Sequence, residues 1–134
     1  MIAVIDANSF IAGFLRDSTS RKLILSDKLT LFSPDWLINE FERNESELMD
    51  KFPISSKFSE TKKLLFRFVK IVPFEEYSKR IEEASRLSKH KKDIPYFALA
   101  LSLDCPIWSD EKSFKQQSRI EIYSTSDFVK KLEL

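Results

Sequence analysis

One glycine, one cysteine and one histidine are all that 134 residues provide of the three types on which most recognisable site chemistry rests. With Gly13 alone, neither a Walker phosphate loop nor a GxGxxG dinucleotide turn can be built, because both use several glycines to bring backbone amides against phosphate. Cys105 alone excludes an internal disulfide framework and a thiolate zinc cage, and suits a reducing cytosol. His90 alone removes the histidine-rich zinc motifs, and any Ser-His-Asp or Cys-His site would have to use it. Charge of one sign is also missing: 22 basic against 21 acidic side chains leave +1, so basic surface can only be local. No apolar run approaches the roughly 20 residues that span a bilayer, and no basic segment followed by an apolar signal stretch opens the chain. The expected location is the cytoplasm, and what remains to do chemistry is carboxylate.

What is present is a bulky core. A hydrophobic content of 43%, with twelve phenylalanines, is enough for one substantial interior, and a single domain over residues 1–134 is expected. The β-branched run Ile2 to Ile5 in "MIAVIDAN" predicts a buried strand that stops at Asp6. Two short helical patterns follow, "NSFIAGFLRD" and "STSRKLILSDK", with Asn8 or Ser9 and Ser18 or Thr19 as N-caps. After a second strand, "LTLFS", Ser33 precedes Pro34 in the order of an N-cap and a first-turn proline, and "PDWLINEFERNESELMDK" carries Leu37, Phe41 and Leu48 at helical spacing. A helix in "SSKFSETKKLLFRFVK" runs into a third strand near "KIVPF", and "EEYSKRIEEASRLSKHKK" reads as an amphipathic helix. The helix "IPYFALALSL" is apolar on nearly every face, so other elements should cover it, with Asp93 as its N-cap. "CPIWS" and "RIEIYS" are strands four and five around a brief helix "EKSFKQQ", and "TSDFVKKLEL" closes the chain as a helix. Strands alternating with helices and no hairpin signal predict a three-layer α/β/α sandwich with a central parallel sheet of about five strands.

In such a sheet, functional groups gather outside the carboxyl ends of the strands, near the point where strand order reverses. Asp6 ends the first strand, and Asp110 and Glu111 follow the fourth. The helix headed by Asp93 runs antiparallel to the strand it feeds, which returns Asp93 to the same edge. Glu40, in the second turn of its helix, is long enough to lean back to them. Carboxylates crowded together raise one another's pKa unless a cation occupies the site. Oxygen ligands of this kind suit Mg²⁺ or Mn²⁺, and a pair of such ions can activate water for in-line displacement at a phosphodiester.

Over almost its whole length the sequence resembles the PIN domain family of metal-dependent ribonucleases, which includes the toxin halves of many prokaryotic toxin–antitoxin pairs. "VIDAN" is similar to the family's opening strand and implies Asp6 as the first metal-binding acid. "SPDWLINEF" implies Glu40 as the second, and "KKDIPYFALAL" implies Asp93 as the third. The fourth motif, a hydroxyl residue, a variable residue and an acid, resembles "WSDEKSF". Read strictly it gives Ser109 and Glu111, with Asp110 at the variable position, so either Asp110 or Glu111 completes the cluster. Ser113 stands where many members carry a fifth acid. The resemblance implies a Mg²⁺- or Mn²⁺-dependent endoribonuclease acting on RNA, with Asn8 and Ser109 orienting the ligands, an antitoxin as partner, and a possible homodimer.

Each residue also has a plainer explanation. Asp6 can be a turn residue, Asp93 a cap, and Glu40 a solvated helix acid. The lysines of "KHKKD" can complement a helix dipole or bind phosphate. His90 is expected at the surface, the tryptophans and phenylalanines in the core, and Cys105 buried and inert. An aspartyl-phosphate phosphohydrolase also opens on a strand ending in Asp, but that chemistry wants a second Asp where this chain has Asn8. The remaining alternative is a catalytically impaired PIN-like scaffold that binds RNA or protein, if the fourth motif no longer supports a metal.

Overall fold

The computed structural model describes residues 1–16 and 18–134. Among the described residues, five strands form one sheet in the order β3-β2-β1-β4-β5, with every neighbouring pair parallel. They are β1 (Ile2–Ile5), β2 (Thr30–Pro34), β3 (Val69–Val72), β4 (Ile107–Trp108) and β5 (Ile122–Tyr123). β1 occupies the centre because its β-branched run can be covered on both faces: Ala3, Val4 and Ile5 have no exposed surface. Strand order reverses between β1 and β4, which pair through Val4 with Ile107 and Ile5 with Trp108.

The helices fall into two groups. The first contains α1 (Ala7–Ala12), α2 (Thr19–Ile24), α3 (Trp36–Met49), α4 (Ser55–Arg67) and α8 (Thr125–Leu132), with α1 against α2 and α3 and α2 against α8. Phenylalanine fills its interior: the Phe10 ring lies 5.6 Å from Phe14 and 6.0 Å from Phe41, and Phe41 meets Phe66 edge-on at 5.2 Å. Gly13 permits close packing here, since a Cβ at this position would stand 2.7 Å from Cδ1 of Ile24 and 3.1 Å from the Phe10 carbonyl oxygen. The second group is α5 (Phe74–Tyr77), α6 (Ile81–Leu87) and α7 (Ile94–Leu103), with α7 lying on β1 and β2. Residues Tyr96 to Leu101 of α7 are all buried, as an all-round apolar helix requires. The architecture is the expected α/β sandwich.

Several local expectations are corrected by tertiary partners. The cap of α1 is Asp6, rather than Asn8 or Ser9, and the pattern expected to run to Asp17 ends earlier, Asp17 itself lying outside the described residues. Ser18 caps α2 as expected, accepting from the Arg21 amide at 3.0 Å. Ser33 is not a cap: the chain stays extended through Pro34, Ser33 Oγ donates to the Ile5 carbonyl at 3.1 Å, and α3 begins only at Trp36. The long amphipathic helix is broken into α5, a 3-10 turn at Ser78–Arg80 and α6, which stops at Leu87. Lys91–Asp93 form another 3-10 turn that leads into α7, and the brief helix after β4 is a 3-10 turn at Lys112–Gln116.

Candidate active site

The sheet edge at the reversal point gathers acids from four separate elements. β1 delivers Asp6, which is 3% exposed and takes extended backbone angles before α1. One carboxylate oxygen accepts the Ser9 amide at 2.8 Å, so Asp6 caps α1 with only part of its acceptor capacity. Burial pushes its pKa up to about 6, with the charge of Glu111 adding to the rise and hydrogen bonding from Ser109 and Ser9 opposing it.

α3 delivers Glu40. The Tyr96 hydroxyl, projecting from buried α7, donates to Glu40 Oε1 at 2.6 Å and draws this long side chain toward the sheet edge. Burial raises the Glu40 pKa, while the Tyr96 hydrogen bond and the positive charges of Lys92 and Arg43 work the other way.

Asp93 is 6% exposed at the start of α7, and its side chain makes no capping hydrogen bond. The expected cap is absent because Asp93 already has helical backbone angles and closes the preceding 3-10 turn. Burial, then the charge of Glu111, pushes its pKa up to about 6; Lys92 and His90 pull it down and Glu40 pushes it up. His90 itself is exposed.

β4 delivers the fourth motif and divides its two acids. Ser109 is buried, its amide donates to the Tyr123 carbonyl at 3.0 Å, and its Oγ accepts the Glu111 amide at 3.1 Å. Glu111 thereby turns back toward the sheet, where Asn8 Nδ2 donates to its Oε1 at 2.5 Å. Asp110 turns the other way. Its two oxygens accept from the Thr125 amide at 2.7 Å and the Thr125 hydroxyl at 2.6 Å, and that hydroxyl also accepts the Trp108 indole N–H at 3.0 Å.

The pocket so formed is lined by Asp6, Ala7, Asn8, Glu40, Lys92, Asp93, Tyr96 and Glu111, and does not include Asp110. Its volume of about 20 Å³ admits roughly one water-sized occupant. Among the described residues, no three acids are drawn together as a ready-made ion cage. Glu40 and Glu111 are each held by a neutral donor, Tyr96 and Asn8, on one oxygen. The donor set is nonetheless entirely oxygen, and the two buried aspartates keep protons up to about pH 6 that a cation can replace. These residues fit a hard divalent cation.

Tyr96 was hidden from sequence reasoning among the apolar residues of its helix; its position three residues after Asp93, one turn along the same face, was the available signal. Cys105, expected to be buried, is half-buried, and burial pushes its thiol up to about 11. No helix among the described residues is long and apolar enough to cross a membrane.

Residues 4–125 match the family model described as PIN domain. A search of curated proteins gives no significant match. Among solved structures, the chain is similar to one in the crystal structure of VapBC2 from Rickettsia felis bound to a DNA fragment from their promoter, with a TM-score of 0.66, 12% identity, and coverage of 92% of this chain and 98% of that one. That likeness speaks for the fold. The family match begins before Asp6 and ends after Glu111, so it encloses every acid of the pocket, and the chain belongs to the PIN domain family.

Proposed function

We propose that this protein is a Mg²⁺- or Mn²⁺-dependent endoribonuclease that hydrolyses RNA phosphodiesters in the cytoplasm as the toxin of a toxin–antitoxin pair. The observation that carries the proposal is Asp93: a buried carboxylate without a capping bond, in a pocket lined by three more acids. Asp6, Glu40, Asp93 and Glu111 would hold the metal. Asp110 is not in that set, because both of its oxygens are engaged by Thr125. When bound, the metal supplies charge compensation for the acids, activation of water and stabilisation of the charge developing on the phosphoryl oxygens.

The chain's own residues prepare that chemistry. Asp6 is fixed by the Ser9 amide on one carboxylate oxygen. Tyr96 and Asn8 each anchor one glutamate by a single oxygen, which sets direction and leaves the other oxygen free. Ser109 orients the Glu111 backbone through its hydroxyl. The structural neighbour from a VapBC2 assembly supports an antitoxin as partner. A second copy of this chain is a further partner, favoured by the exposed Ile38 and Phe74 on a cleft with Trp36, Tyr77 and Pro95.

The decisive experiment is cleavage of single-stranded RNA by wild type and Asp93→Asn with Mg²⁺, with Mn²⁺ and with EDTA. Metal-dependent cleavage lost in the variant is expected; undiminished activity in EDTA overturns the proposal. The second reading, an impaired PIN-like scaffold, is favoured by the absence of a ready-made ion cage among the described residues and by Ser113 in place of an acid. Calorimetry with Mn²⁺ separates the two, since a scaffold shows no binding. Expression of the tagged chain with its neighbouring genes, followed by identification of what co-purifies, tests the antitoxin.

A further inference from the structure

Lys92 is the one cation among the described residues that line the acidic pocket. In sequence it closes "KHKKD", where a lysine after an amphipathic helix ordinarily complements the helix dipole. That explanation does not reach Lys92, because α6 ends at Leu87 and Lys92 lies in the 3-10 turn that opens α7. Its side chain is exposed and forms none of the ion pairs found among the described residues. Yet its charge acts on both Glu40 and Asp93. A cation is therefore held beside the acids without being committed to either of them. With those acids balanced by a bound cation, the Lys92 ammonium would have no ion-pair partner among the described residues.

We infer that Lys92 contacts the substrate: its ammonium donates to a non-bridging oxygen of the RNA phosphodiester at this pocket and stabilises the charge that grows there during displacement. The inference rests on the ribonuclease proposed above. Lysine suits the task as a compact, mobile point charge, with no proton transfer needed. The competing role is passive, with Lys92 only offsetting repulsion among the acids. The two roles predict opposite behaviour. A passive lysine, once removed, leaves a more negative pocket that binds Mn²⁺ more tightly and cleaves RNA as well as before. A substrate-binding lysine, once removed, leaves Mn²⁺ binding equal or tighter while RNA binding and cleavage fall.

The test compares wild type, Lys92→Ala, Lys92→Arg and the neighbouring control Lys91→Ala, whose side chain does not line the pocket. Three quantities are measured: the Mn²⁺-induced rise in melting temperature, single-stranded RNA affinity at several salt concentrations with Ca²⁺ in place of Mn²⁺, and single-turnover cleavage with Mn²⁺. For Lys92→Ala we expect an undiminished Mn²⁺ rise, a salt dependence reduced by about 0.7 in log–log slope, and cleavage down about 10- to 100-fold. Lys92→Arg should recover most of the cleavage, and Lys91→Ala should stay within about twofold of wild type. The inference is overturned if Lys92→Ala binds and cleaves RNA like Lys91→Ala, or if its cleavage falls in step with its Mn²⁺ rise. Should wild type show no metal-dependent cleavage, the ribonuclease proposal fails by itself. The RNA-affinity comparison then still decides Lys92, with equal affinities overturning the contact and weaker binding by Lys92→Ala supporting it.

Discussion

Two helices begin at buried aspartates on the same edge of the sheet, and only one of them uses the carboxylate. Asp6 accepts the Ser9 amide and caps α1; Asp93, at the start of α7, accepts no capping hydrogen bond. Burial pushes both to a pKa of about 6, so each disfavours folding in its charged form. At Asp6 the cap offsets part of that cost. At Asp93 no capping hydrogen bond does. The same division separates the neighbours Asp110 and Glu111: the first fastens β4 to the start of α8 through Thr125, and the second is turned into the pocket by Ser109 and Asn8. The adjacent acids Asp110 and Glu111 are thus distinguishable by their hydrogen bonds, whereas Asp6 both caps a helix and lines the pocket.

The largest effect should come from Asp93→Asn. It removes one charge from a self-repelling group and no cap, so RNA cleavage should fall by about 100-fold or more while the metal-free protein melts at the same temperature or higher. The rise on adding Mn²⁺, which grows as RT ln(1 + [L]/Kd), should shrink sharply. Alanine at each position sharpens the contrast. Asp6→Ala loses a cap worth about 1 kcal/mol and Asp93→Ala loses none, so in EDTA Asp93→Ala should be the more stable of the two. Melting curves in which Asp93→Ala is destabilised as a lost cap would be erase the distinction between the two aspartates.

Next in size is the contrast between Glu111→Gln and Asp110→Asn. Glu111→Gln should lower cleavage by roughly 10- to 100-fold with little change in metal-free stability. Asp110→Asn should do the reverse: cleavage close to wild type, and a loss of about 1 kcal/mol from weakened bonds to Thr125 at the α8 terminus. Denaturant melts and cleavage rates on both variants check this, and a larger cleavage defect in Asp110→Asn would return Asp110 to the metal site.

A smaller signal is expected in the pH dependence of stability. In the metal-free protein, Asp6 and Asp93 hold protons up to about pH 6, whereas the unfolded chain releases them near 3.8. The folded state binds more protons across that window, so stability falls as pH rises from about 4 to 6 and stays lower above it. Glu40, also raised, adds in the same direction. Asp127, lowered by its bonds to Ser124, contributes stability that is lost only below the window. The aspartate pair should make the protein more stable at pH 5 than at pH 7.5 by on the order of 2 kcal/mol. Mn²⁺ should flatten this slope and Asp93→Asn should reduce it; an unchanged slope in the variant would remove Asp93 from the coupled group.

The sheet and its acids were legible because they follow from chain-local rules. A β-branched run bounded by Asp6 is a buried strand wherever it occurs, and alternation with helices places Asp6, Asp93 and the end of β4 on one edge. The allocation of roles was not legible, because it depends on partners distant in sequence. Thr125 decides where Asp110 points, and Asn8 decides where Glu111 points. Ser33 and Pro34 read as a cap and a first turn, yet Ser33 is spent on the Ile5 carbonyl of the neighbouring strand. Lys92 read as the end of a helix that in fact stops at Leu87. Tyr96 looked like one more apolar residue of α7, although its hydroxyl is what gives Glu40 its direction.

Tyr96→Phe extends the contrast to Glu40 and should have the smallest effect. The ring is 1% exposed and remains in place, so packing is preserved and only the 2.6 Å bond to Glu40 Oε1 is lost. Glu40 is half-buried and can recover part of that bond from water, which limits the stability change to about 1 kcal/mol. Two contributions to Glu40 then oppose each other. Losing a donor to the carboxylate raises its pKa further, which weakens metal binding near neutral pH, and freeing the side chain adds conformational entropy that must be lost again on binding. Releasing Oε1 makes a second oxygen available to the ion, which favours binding. The loss of direction should dominate, because a glutamate reaching from the second turn of α3 has three rotatable bonds to restrain. The expected outcome is a Mn²⁺ affinity about 3- to 10-fold weaker by calorimetry, with a larger deficit at pH 6 than at pH 8. If Tyr96→Phe binds Mn²⁺ as tightly as wild type at both pH values, Glu40 belongs with Asp110 among the acids whose hydrogen bonds serve the fold.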